Sequence, residues 1–140
     1  MANGDVKIAA ARQEQSKSDK ANLLDRIRNK TRKRMELQVP LDGEVVTFVF
    51  EAISAQELDK LRAKHPPTKQ QLADGQGVNI TTFNPALVAA TLAEPQRITE
   101  DEAKELFSLD NWSSGELAQI FDIAAAVCLQ GFDIPRNASA

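Results

Sequence analysis

The chain has 140 residues, 42% of them hydrophobic and 26% charged, with a formal net charge of −3. That length fits one domain with a tail. No apolar run approaches the ~18 to 20 residues needed to cross a bilayer, and a single cysteine excludes an internal disulfide.

The N-terminal segment Met1–Lys7 has no apolar core of a secretory signal, so a cytoplasmic protein is the expectation. Charge is unevenly spread. Residues 1–34 hold ten Lys/Arg and four Asp/Glu, whereas residues 35–140 hold seven and sixteen. A basic arm is joined to an acidic body. Such an arm suits nucleic acid, an acidic protein surface or the body of a neighbouring copy.

Residues 1 to 20 are polar and lack spaced large apolar groups, which predicts a disordered or transiently helical segment. Leu23, Leu24 and Ile27 then fall at helical spacing, followed by the run Arg26, Arg28, Lys30, Arg32, Lys33 and Arg34. From Met35, apolar Leu37 and Val39 alternate with Glu36 and Gln38, the period of a strand. Asp42-Gly43 is a favoured two-residue hairpin turn, and Val45–Phe50 reads as the returning strand. A lone hairpin is marginal in water, so it must rest on helices or on another copy's strands.

Ser54–Glu57 fits a capping box, with Ile53 and Leu58 at the staple positions, and its helix is expected to end near Lys64 with Leu58 and Leu61 inward. His65-Pro66-Pro67 stops it. The segment to Thr82, with Gly75 and Gly77, has no periodicity and reads as a long loop. Asn84 with Pro85 predicts a helix start, and Ala86–Ala93 is apolar on nearly all sides, as in a helix enclosed by others. Thr99–Glu102 is a second capping box whose helix turns Ala103, Leu106 and Phe107 inward. Ser113–Glu116 is a third, with Leu117, Ile120, Phe121, Ala124 and Cys128 on one face. Gly131 is a predicted C-cap.

The fold class expected is α+β and mostly helical: an N-terminal β-hairpin followed by about four helices, with a basic N-terminal arm. The predicted boundaries are a flexible arm over 1–34, a single domain over 35–131 and a loose tail over 132–140.

The sequence offers little catalytic chemistry. Cys128 lies among Val127 and Leu129 and reads as a small buried hydrophobe. His65 sits at a helix end, where it suits the dipole, with no fixed partner apparent. One His and one Cys cannot make a Cys/His structural zinc site, and Gly75-Gln76-Gly77 lacks the third glycine of a phosphate loop. Glu100, Asp101, Glu102 and Glu105 cluster on one helix, where negative charge near the N-terminus suits the dipole. No catalytic, metal or cofactor-binding residue is assigned. Arg26 to Arg34 would neutralise phosphates with salt-dependent affinity. Without interleaved aromatics or a recognition-helix pattern, an acidic protein surface is favoured over nucleic acid. Trp112 precedes the Ser113 cap, placed to pack on Leu117, with an interface role as the rival reading.

The run Pro85–Ala90, then Glu94-Pro95, then Ile98–Ala103, then Trp112–Glu116 and an apolar helix, resembles tail assembly chaperones of long-tailed bacteriophages. The resemblance covers residues 35 to 131, since a short β segment and a helix precede a similar helical module in that family. It implies a non-enzymatic protein that binds the tape measure protein, keeps it soluble and helps it recruit tail tube subunits. It also implies action in the host cytoplasm, absence from the finished virion and, in many members, a second length made by ribosomal frameshifting. Self-association through the hairpin edge and capture of an amphipathic helix fit this role. Phe107, Trp112, Leu117 and Phe121 are the candidate partner-binding residues. The alternatives are a small nucleic-acid-binding or regulatory protein acting through the arm and, less favoured, a minor structural tail protein.

Overall fold

A computed structural model describes residues 2–133, with side chains from Arg12 onward. The chain divides after Thr31 into two compact units. The first contains α1 (Ala2–Arg28), over the segment for which a disordered or transiently helical state is expected. Its Ala, Gln, Lys, Arg and Leu residues are good helix formers, and propensity rather than an apolar stripe favours the helix. Leu23, Leu24 and Ile27 on it are exposed.

The second unit begins at Arg32 and is an α+β body. Strand β1 (Arg34–Leu41) pairs antiparallel with β2 (Glu44–Glu51), with Leu41 opposite Glu44. The two residues between them have positive φ, 51° at Asp42 and 81° at Gly43. Turns of that hand match the strand twist. No atom lies within 4 Å of a Cβ built on Gly43, so Gly43→Ala tests backbone strain alone. It should cost about 1 kcal/mol in urea unfolding, the penalty for an L-residue in the left-handed region.

The Ala52 N–H donates to the Lys33 carbonyl at 2.9 Å, which sets the phase of the β1–β2 ladder. By the alternation of antiparallel pairs, Met35, Leu37 and Val39 bond to β2, and Arg34, Glu36 and Gln38 turn their N–H groups to the free edge. Pro40 offers no donor there. On the other side β2 pairs with a short strand β3 (Leu92–Glu94), with a register shift at Val49/Phe50. The order is β1-β2-β3, so the hairpin is extended within its own chain.

Helix α2 (Ala55–Ala63) follows the hairpin and buries Leu58. The Ser54 box is half made. Its hydroxyl accepts from Glu57 N–H at 3.1 Å, but the Glu57 carboxylate takes Arg32 at 3.1 Å. Both partners, Ser54 first, hold the Glu57 carboxyl below its ordinary range. A depressed folded-state value gives stabilisation that is present at neutral pH and lost as pH falls through it. At 52% side-chain exposure that contribution is small.

The expected loop from His65 to Thr82 is interrupted by helix. It contains α3 (Lys69–Ala73), started by a full capping box of Thr68 and Gln71, and the first turn of α4 (Ile80–Thr91). Asn84 therefore does not cap α4, and Pro85 lies inside it, buried. Burial of Phe83 in the core favours the earlier start, because it places Phe83, Leu87 and Thr91 on one helical face. Thr91 satisfies its hydroxyl by donating to the Leu87 carbonyl at 2.8 Å.

Helix α5 (Glu100–Leu106) has the full Thr99/Glu102 box, and α6 (Ser114–Leu129) has the full Ser113/Glu116 box. Gly131 is not a left-handed cap. The C-cap of α6 is Gln130 in an extended conformation, and the Gly131 carbonyl accepts from Lys33 Nζ at 3.1 Å. Phe132 is exposed, and the predicted tail from residue 134 onward lies outside the described residues.

Helix α4 packs against α2, α5, α6 and β2, and α6 also packs on β1 and β2. The core joins Val39, Phe48 and Phe50 of the sheet to Leu87 and Val88 of α4 and Ile120 and Val127 of α6. On the opposite strand parity, Arg34 bonds Glu51 at 2.9 Å and approaches Glu94 at 3.9 Å, while Arg97 reaches Glu51 at 4.0 Å. The Glu51 bond holds the Arg34 guanidinium above its already high ordinary value.

Candidate partner-binding surface around Trp112

The short connection from α5 to α6 is fixed by side chains. Leu106 ends α5, and its carbonyl accepts from Trp112 Nε1 at 2.7 Å and from Asn111 Nδ2 at 3.4 Å. Asn111 Nδ2 also reaches the Glu105 carbonyl at 3.2 Å. These donors satisfy carbonyls that a helix end leaves without partners. The Trp112 ring stacks on Phe107, with centroids 5.7 Å apart and planes 13° from parallel. Trp112 is half-buried and packs against the core, and it lines an open cleft of about 100 Å³. Leu37 to Pro40 of β1 and Glu116, Gln119 and Ile120 of α6 complete the lining.

The four residues proposed from sequence therefore separate. Phe107 and Leu117 are each 5% exposed and belong to the core. They support the surface from beneath and are not available to touch a partner. Phe121 is half-buried against the same core. Trp112 alone borders the cleft. Leu106, expected inward, is 47% exposed, and Leu109 is 84% exposed. Because α5 is short, Ala103 and Phe107 at a spacing of four take its inward face and Leu106 is turned out.

The basic run also separates. Arg26 and Arg28 lie in the last turn of α1, where Arg28 meets Asp25 at 3.4 Å, and Lys30 follows the helix exposed. Arg32, Lys33 and Arg34 belong to the body and engage Glu57, Asp133 and Glu51 at 3.1, 3.5 and 2.9 Å. A phosphate ligand would have to compete with those carboxylates.

His65 is buried, and its partners are not evident from sequence. Its Nδ1 lies 2.9 Å from Thr82 Oγ1 and its Nε2 lies 3.4 Å from Glu100 Oε1. The ring meets Phe83 edge-on at 6.2 Å. Its backbone continues the tie, since the Asn79 N–H donates to the His65 carbonyl at 2.8 Å. A neutral imidazole has one N–H: with Nε2–H donating to the Glu100 carboxylate, Nδ1 accepts from the Thr82 hydroxyl, which also lies 3.3 Å from the Asn79 carbonyl. Thus one side chain joins the end of α2 to the starts of α4 and α5. Glu100 is not simply a solvated helix-start carboxylate. His65→Ala should lower stability by about 1–2 kcal/mol through loss of these bonds. His65→Phe should recover the packing part only, and urea unfolding of both variants separates the two contributions.

Cys128 is half-buried, and burial pushes its thiol above the ordinary value. Among the described residues no group of three His, Cys, Asp or Glu side chains is placed to hold a metal ion. No helix among them is long and apolar enough to cross a membrane. Comparison with protein-family models, with curated proteins and with solved structures found no match.

Proposed function

We propose that this chain is a tail assembly chaperone of a long-tailed bacteriophage. It binds the tape measure protein, keeps it soluble and helps it recruit tail tube subunits, with no catalytic step of its own. The observation that carries this reading is the module from Pro85 to the apolar helix after Glu116, whose segments resemble that family. Here they fold as α4, α5 and α6, with both capping boxes formed and Trp112 at the rim of a cleft. An apolar surface on a small helical scaffold suits capture of a partner helix. Among the described residues no strand pairs with the outer edge of β1, which supports self-association by strand pairing. The chaperone works in the host cytoplasm and leaves before the virion is complete.

Sequencing the DNA downstream of the gene tests this reading. A very long open reading frame of helical pattern should follow, and an overlapping frame entered at a slippery site would add a longer product. Absence of any such long frame in the neighbourhood would contradict the assignment.

A further inference from the structure

We propose that β1 pairs antiparallel with β1 of a second copy across a two-fold axis, in the register that sets Arg34 of each chain opposite Glu36 of the other. This pairing gives a geometry to the chaperone's self-association, and it stands on the strand edge alone, without a tape measure protein.

Strand β1 pairs with β2 along its whole length with no register shift. Among the described residues no strand pairs with its other edge. The ladder phase set by Lys33 and Ala52 turns the N–H groups of Arg34, Glu36 and Gln38 to that edge. Met35 and Leu37 pack on the core yet stay half-buried, because the sheet ends beside them. Edge strands that remain single are commonly blunted by a lysine, an inward charge or a bulge. From Arg34 to Val39, β1 has none of these, and Pro40 blunts only its far end.

A second copy fits because the strand is self-complementary in one register. Residues with edge-facing N–H groups must pair with one another, which leaves registers centred on Met35, Glu36 or Leu37. Centring on Glu36 sets two carboxylates directly opposite, which is destabilising. Centring on Leu37 sets Arg34 against Pro40, which has no N–H to donate. Centring on Met35 sets Arg34 against Glu36 twice by symmetry, each pair exchanging both main-chain bonds. Glu36 is exposed and makes no ion pair among the described residues. Arg34 uses Nε for Glu51 at 2.9 Å, while its Nη1 stands 3.9 Å from Glu94. The rest of the fork can therefore take a second carboxylate. Such an interface is isologous and closes at two copies.

Sedimentation velocity of the full chain across concentration should show monomer passing to dimer. Glu36→Pro removes an edge N–H that faces away from β2, so the melting curve should be kept and dimerisation weakened about tenfold or more. Glu36→Lys keeps the N–H and opposes Arg34 with like charge; it should weaken the dimer without a proline in the strand. The register is read in a Cys128→Ala background from Met35→Cys, Glu36→Cys and Leu37→Cys, each oxidised with diamide. The residue on the axis meets its own copy at disulfide distance. Met35→Cys should therefore give the linked dimer fastest.

A chain that is monomeric at every concentration overturns the proposal, as does a dimer indifferent to both Glu36 variants. Fastest linkage at Glu36→Cys or Leu37→Cys overturns the register. Amides of Arg34, Glu36 and Gln38 protected from hydrogen exchange in the monomer would assign the edge to another segment of the same chain, and overturn the pairing too. None of these results bears on whether the chain solubilises a tape measure protein, so failure of the pairing and failure of the chaperone reading are separately visible.

Discussion

Phe50→Ala should lower the stability of the body by about 3–5 kcal/mol, the usual cost of emptying a phenylalanine site in a core. Phe50 is fully buried on β2, opposite Met35 of β1 and beside Leu92 of β3, in the cluster that unites the sheet with α4 and α6. Domains of this size are stable by roughly 5–15 kcal/mol, so the loss is about a fifth of the total or more. Relaxation is limited, because the neighbours are held by strand pairing on both sides. Phe50→Leu keeps most of the volume and should cost much less. Urea unfolding followed by far-ultraviolet circular dichroism measures both, and a Phe50→Ala loss below about 1 kcal/mol would show that this core is not packed as described.

Trp112→Ala should cost about 2–3 kcal/mol, less than Phe50→Ala because one face of the indole borders the open cleft. The substitution removes the stack on Phe107 and the bond from Nε1 to the Leu106 carbonyl. Stacked aromatic pairs and single hydrogen bonds each contribute on the order of 1 kcal/mol. Trp112→Phe restores the ring but not the donor, and should recover about half of the loss in a thermal or urea melt. A change of less than about 0.5 kcal/mol for Trp112→Ala would mean that the α5–α6 connection does not depend on the indole.

The sequence revealed the local elements well. The hairpin was legible because Leu37 and Val39 alternate with polar residues and Asp42-Gly43 favours positive φ, as the register and dihedrals bear out. The starts of α5 and α6 were legible because Thr99/Glu102 and Ser113/Glu116 satisfy helix-start donors by a purely local rule. The same rule marks Thr68/Gln71, but Pro66, Pro67, Gly75 and Gly77 around it disguised the short helix α3 as loop.

Misses arose where distant contacts override local signals. Asn84-Pro85 imitates a helix start, yet burial of Phe83 sets the true start at Ile80. Strand β3 has three residues, too few for a period, and exists because β2 offers it an edge. His65 finds Thr82 and Glu100 at sequence separations of 17 and 35, which no motif encodes. At the candidate surface, sequence indicated the segment and Trp112 but not which face of α5 is buried. Phe107 and Leu117 were placed at a binding surface because aromatic and aliphatic side chains serve both core and interface.

The most direct measurement of the central claim is co-expression of the full chain with the product of any very long helical open reading frame found downstream, the proposed tape measure protein, followed by centrifugation and size-exclusion chromatography. The chaperone account predicts that the tape measure protein is largely insoluble alone, becomes soluble with this chain, and elutes with it as one complex. A tape measure protein whose soluble fraction is unchanged by the chain, with the two eluting apart, would contradict it.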